Sequence, residues 1–132
     1  MEALSLLQGA LVAALRADAA LVAIIGAEGV FDAPPKGRAA PWVVIARHDV
    51  VARDGDLAPG LEHRLLIHCW SDQPSRKRAM DMAGRVVAVA ESFVATDIAV
   101  THRDHLRTET AVDGKTGQTR AAVTLRFHSE PI

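Results

Sequence analysis

Leu61–Ala90, LEHRLLIHCWSDQPSRKRAMDMAGRVVAVA, is the stretch that decides the fold. Its first part keeps the two-residue period of a strand: Leu61, Leu65, Ile67 and Cys69 share one side, Leu66 and Trp70 the other. After a short polar junction the period becomes helical. Ala79, Met82, Ala83, Val86, Val87 and Ala90 form one apolar stripe, while Arg76, Lys77, Asp81, Arg85 and Glu91 take the remaining faces. Pro74 suits the first helical position, where its missing N–H has no intrahelical partner to lose. The stretch therefore predicts a strand ending at Trp70 and a helix over Pro74–Phe93 lying across one face of a sheet. It holds no constellation of catalytic groups.

Upstream, Trp42–Arg53 begins with the strand-forming run WVVIA. Strict alternation places Trp42, Val44, Ala46, His48 and Val50 on one face, and Val43, Ile45, Arg47, Asp49 and Val51 on the other. Asp54-Gly55-Asp56 through Pro59-Gly60 supplies the turn of a long hairpin back to Leu61. Before it, Ala33–Pro41 is a loop on its prolines and glycine, and Val30-Phe31 allows a short strand. Leu4, Leu7, Leu11 and Leu15 predict an N-terminal helix over Glu2–Arg16. Asp18 reads as the N-cap of a second helix, Ala19–Ile25, stopped by Gly26 and Gly29.

Downstream come two strands, about Ile98–Val112 and Thr119–Ser129, joined by a hairpin turn at Asp113–Gly117. In the last strand Ala121, Val123, Leu125 and Phe127 point inward, and Arg120, Thr124, Arg126 and His128 outward. The expected fold is α+β: a mainly antiparallel sheet of about four strands, an amphipathic helix packed on one face, and one or two N-terminal helices. The 132 residues suit a single domain spanning 1–132, long enough for a real core. Apolar residues are 49% and aromatics only 4%, so that core is assembled from small aliphatic pieces.

A net charge of −1 gives no bulk attraction to nucleic acid or anionic membrane. The lone Cys69 excludes an internal disulfide and fits a reducing cytosol. Glu2 stands where a signal peptide carries basic residues, and the apolar run before Arg16 is too short to cross a bilayer. A soluble chain without a membrane association is expected.

Six histidines raise the question of a metal. His63 and His68 are five apart on a strand and point to opposite faces; a hairpin centred near Gly55–Asp56 sets His48 opposite His63. No ligand spacing is completed by Asp or Glu, so solvated or partly buried strand histidines are expected, and no metal or cofactor. Gly114-Lys115-Thr116 lacks both the earlier glycine and the following helix of a phosphate loop, and reads as a hairpin tip. His68 and Cys69, as strand neighbours, face opposite ways, and Ser71 and Ser75 lack a nucleophile-elbow context. Asp54, Asp56 and Glu62 lack calcium-loop spacing. The basic run Arg76-Lys77-Arg78 opposes the helix dipole at its start and calls for an acidic partner. No catalytic residue is expected.

With these residues in view, the ordered series RADAALVAIIG…VFDAPPKGRAAPWVVI, LEHRLLIHCWS, helix, TRAAVTLRFHSE resembles the small tail-completion proteins of siphophages and gene transfer agents. The likeness runs over nearly the whole chain. It is most specific at Asp32-Ala33-Pro34-Pro35, at Pro41 before Trp42, and at the junction His68–Pro74. The resemblance implies a structural virion protein, a tail terminator. Such a protein forms a homo-oligomeric ring, of six subunits, on the head-proximal end of the tail tube, stops tube polymerisation and joins the tail to the neck. The implied partners are a second copy of the chain, the tail tube protein and a neck or stopper protein. DNA passes through the ring without sequence-specific binding. The implied location is the tail–neck junction of a phage or gene-transfer-agent particle, after assembly in the bacterial cytoplasm. The hairpin loops are the expected contact surfaces: Arg53, Asp54, Asp56 and Leu57 in Ala52–Gly60, and Asp113, Lys115 and Gln118 in Asp113–Gln118. Alternative readings are another head–tail joining protein (a stopper or head-completion factor), a small cytosolic enzyme with an intersubunit site, and a standalone binding module.

Overall fold

The computed structural model describes residues 2–53 and 60–132. In chain order the elements are α1 (Glu2–Arg16), α2 (Ala19–Ile25), β1 (Val30–Phe31), β2 (Trp42–Arg53), β3 (Gly60–Ser71), α3 (Arg76–Ser92), β4 (Ile98–Val112) and β5 (Thr119–Pro131). The strands form one sheet in the order β1-β2-β3-β5-β4. It is an α+β fold, but the sheet has five strands rather than about four. The added strand, β1, runs parallel to β2 and pairs only with Val43 and Val44, while every other pairing is antiparallel.

All three helices feed one core on one face of the sheet. Leu7, Leu11 and Leu15 of α1, Leu21 and Ile25 of α2, and Met82 and Val86 of α3 meet Ile67, Cys69, Val123, Leu125 and Phe127. Removing so many aliphatic side chains from water, at roughly 25 cal/mol per Å² of apolar surface, is what holds the two layers together. Asp18 caps α2 as expected: its carboxylate accepts from Leu21 N at 3.0 Å. It also takes a bidentate pair from Arg85 of α3, at 3.0 and 2.7 Å. One carboxylate thus starts one helix and ties it to another.

Three expectations are corrected. Helix α3 begins at Arg76, not Pro74, because the Ser75 hydroxyl accepts from Lys77 N at 3.2 Å and is the cap, leaving the proline outside. The basic start of α3 finds an acid one turn on, with Lys77 Nζ 3.1 Å from Asp81. In β2 the strict alternation fails. Ile45 pairs with Ile67 but Arg47 with Leu66, so Ala46 is the extra residue of a β-bulge. Beyond it the faces exchange: His48 and Val50 turn inward, while Arg47, Asp49 and Val51 turn outward. The bulge also sets the hairpin register, in which His63 is opposite Val50 and His48 opposite Leu65. The two histidines are therefore diagonal neighbours on one face instead of a directly opposed pair.

Candidate functional site

The strand ends that flank the two expected contact loops lie at opposite ends of the sheet. β3 and β5 run side by side from Leu61↔Ser129 to Ser71↔Thr119. One end therefore carries the Arg53↔Gly60 pair, and the other the Asp113–Gln118 turn. At about 3.3 Å per residue the two ends are roughly 35 Å apart. Asp54, Asp56 and Leu57 fall outside the described residues, while Arg53 is half-buried over Gly60.

The Asp113–Gln118 turn is tightly built. Asp113 N donates to Gln118 O and Gly117 N to Asp113 O, both at 2.8 Å, and Gly117 takes φ 73°, which a glycine tolerates. The Asp113 carboxylate accepts from Lys115 N at 2.9 Å, which holds its pKa below the usual carboxylate range. Lys115 is exposed, whereas Asp113 and Gln118 are half-buried.

The face of the sheet away from the helices changes character along its length. At the turn end it is aromatic. Phe31 meets Trp42 edge-on with centroids 6.5 Å apart, Trp42 lies 6.0 Å from Trp70, and the Arg120 guanidinium stands 6.0 Å from the Trp70 ring. Pro34, Trp42, Val44, Ala46, His68, Trp70, Asp113 and Gln118 enclose a groove there. Val44 and Ala122 are almost fully buried although they belong to this outer face, each beside the aromatic rows.

At the Arg53/Gly60 end the same face is ionic. Glu62 accepts from Arg64 at 2.6 Å and lies 3.5 Å from His128; Asp104 accepts from Arg126 at 2.7 Å and lies 2.8 Å from His102. The two imidazoles are 5.0 Å apart between centroids. Arginine hydrogen bonds hold both carboxylates below their ordinary pKa.

On the inner face sits a group that sequence reasoning missed. His63 is fully buried, not solvated or partly buried. It joins a chain of four side chains: Gln8 Oε1 to His48 Nδ1 at 3.2 Å, His48 Nε2 to His63 Nδ1 at 2.9 Å, and His63 Nε2 to Ser129 Oγ at 2.7 Å. With both rings neutral, each donor finds one acceptor if protons run from Ser129 toward Gln8. Burial pushes His48 down to about 4, with a contribution from His63, and pushes His63 down as well. The signal available for burial was that His63 shares its face with Leu65, Ile67 and Cys69; His48 was anticipated as its neighbour, and the bulge makes the pair diagonal rather than directly opposed.

For chemistry the arrangement offers little. Cys69 is wholly buried and its thiol is pushed up to about 12, which leaves no thiolate nucleophile. Among the described residues, no group of three or more His, Cys, Asp or Glu side chains is placed to hold a metal. The two ends of the sheet differ in chemistry, one aromatic and grooved, the other ionic.

Residues 9–129 match the family described as tail completion protein gp17. A chain in the structure of the virion of a native gene transfer agent particle is 27% identical, with a TM-score of 0.81 over 94% of this chain and 94% of that one. The bacteriophage SPP1 gp17 protein, at 17% identity, shares the fold, with a TM-score of 0.63 over 96% of this chain and 91% of that one. No curated protein matches the chain.

Proposed function

Because the chain belongs to the tail completion protein gp17 family, with a place in the virion, we propose that it is the tail terminator: a ring that caps the head-proximal end of the tail tube, stops its growth and joins it to the neck. The observation that carries this reading is the placement of the two hairpin ends, roughly 35 Å apart at opposite ends of β3 and β5. A ring subunit of this kind has an axial partner on each side, and needs two separate recognition ends held by something rigid. One end, with Arg53, Asp54, Asp56 and Leu57, and the other, with Asp113, Lys115 and Gln118, serve as tube and neck contacts.

The ring, of six subunits, closes by one heterologous contact repeated with a rotation of about 60°. Two free edges suit it: β4 along its length, and β2 beyond the two residues that β1 covers. Charged side chains along β4 restrain open-ended pairing. The role is structural, with one domain per subunit, no bound cofactor, and DNA passing through the lumen without sequence readout.

The test is electron microscopy of particles made without the protein, alongside its mass in solution. Tails of uncontrolled length support the terminator. Normal tails beneath leaking heads overturn it in favour of a stopper or head-completion role. Replacing Asp113–Gln118 by a glycine linker is expected to disturb tail length or head attachment; unchanged particles would remove that turn from the contact surface.

A further inference from the structure

The outer-face groove at the turn end holds more recognition chemistry than a packing surface needs. Pro34, Trp42, Val44, Ala46 and Trp70 make most of its wall apolar, and His68, Asp113 and Gln118 add polar atoms. Arg120 flanks it through Trp70, its partner across the β3–β5 ladder. Arg120 Nε is buried and has no hydrogen-bond partner among the described residues.

The neighbouring carboxylates make their hydrogen bonds to other groups. Glu109 accepts from Arg107, and Asp113 accepts from Lys115 N. Trp70 lies ten positions along β3 from Gly60, roughly 33 Å away, so the groove is remote from the Arg53/Gly60 end. A buried donor on a charged group is costly to leave unmet, and a guanidinium is matched best by a carboxylate, which accepts two parallel N–H bonds.

We propose that this groove receives an extended segment of the virion protein packed against the turn end, a segment that sets an aliphatic side chain beside a carboxylate. The aliphatic group enters between Trp42 and Trp70. The carboxylate pairs with the guanidinium of Arg120, whose Nε lacks a partner among the described residues. Asp113, across the groove, repels a second acid and so fixes the direction in which the segment lies. The inference rests on the reading that this end abuts another virion protein, but its test needs no particle.

Both tryptophans of the chain line the groove and there is no tyrosine, so intrinsic emission reports this site. The full chain is titrated with the peptide Ac-Gly-Leu-Asp-Leu-Gly-NH2 and with its Leu-Asn-Leu counterpart. A saturable emission change is expected for the acidic peptide, with binding at least about tenfold weaker for the neutral one. Arg120→Gln is expected to abolish that preference and Arg120→Lys to keep part of it, both with an unchanged far-ultraviolet circular dichroism spectrum.

Equal affinity for the two peptides, no response to either at millimolar concentration, or a preference that survives Arg120→Gln would overturn the proposal. So would emission that depends on protein concentration and resists peptide competition, since a second copy would then fill the groove. Tails of normal length without the protein would refute the terminator and leave these titrations standing.

Discussion

Acidifying the protein from pH 7 to pH 5 is expected to weaken it through the buried imidazole chain. His48 binds a proton near 6.5 when unfolded and at about 4 when folded, and burial depresses His63 in the same direction. A depressed folded pKa means that the unfolded chain holds more protons in this window. The stabilisation is therefore complete above pH 6.5 and is lost as pH falls from there through about 4. Integrating that difference for His48 alone gives a loss of about 2 kcal/mol between pH 7 and pH 5.

Other charged groups act on the same pair. Asp49 favours the His48 cation and His63 opposes it. Gln8 of α1 and Ser129 of β5 are neutral, and Arg103 of β4 gives its guanidinium to carbonyls at the end of α3. The depressed carboxylates Asp18, Glu62, Asp104 and Asp113 lose their contribution only at lower pH, so pH 5 is a clean lower bound. Urea unfolding of the wild type and His48→Gln checks the claim. The substitution removes the titrating ring and keeps an oxygen acceptor. With a denaturant slope of about 2 kcal/mol per molar, the wild-type midpoint should fall about 1 M further than the variant's. Parallel midpoints for the two proteins across that range would refute the assignment of the pH dependence to this chain of side chains.

Three further outcomes follow from single contacts. Arg103 donates to the carbonyls of Ala90 and Phe93 and stacks 4.6 Å from the Phe93 ring, so Arg103→Ala should cost about 2–3 kcal/mol in thermal unfolding, with Arg103→Lys between. A Cβ at Gly29 would strike the carbonyl oxygen and side chain of Ile25, while the Gly29 carbonyl receives Val43 N at 2.8 Å. Gly29→Ala should therefore destabilise by about 1–3 kcal/mol, with the earliest loss of hydrogen-exchange protection at β1. Asp18→Ala removes both a cap and the Arg85 pair and should cost about 1–2 kcal/mol; Asp18→Asn, which still caps, should cost less, and high salt should shrink both deficits by the same ion-pair share, leaving the cap loss of Asp18→Ala.

The element order was legible because period and punctuation agreed along most of the chain. Both N-terminal helices, β2 and β4 fall where the leucine spacing, Asp18 and the valine-rich runs put them. Pairwise geometry was less legible. Ala46 has nothing in its identity that announces a bulge, yet it reverses every side chain of β2 beyond it and sets the His48–His63 contact. β1 falls at Val30-Phe31, where the sequence allowed a short strand, but its parallel pairing on β2, fixed by the Gly29–Val43 contact between residues 14 apart, is encoded by no local pattern. The groove was half visible: Asp113 and Gln118 were expected at a surface, but the alternation that put Trp42 and Trp70 on one face each could not tell that the helices would leave that face uncovered.

The separation of the two hairpin ends has an energetic consequence. Sites that share no contacts and lie well beyond 10 Å contribute additively, so if the two ends bind as proposed, a change at the Asp113–Gln118 turn leaves binding at the Arg53/Gly60 end untouched. Each end can be exchanged or can drift in sequence on its own, as if the chain were a coupling with two interchangeable fittings. What both must preserve is the common length of β3 and β5, which sets the spacing between whatever the two fittings grip.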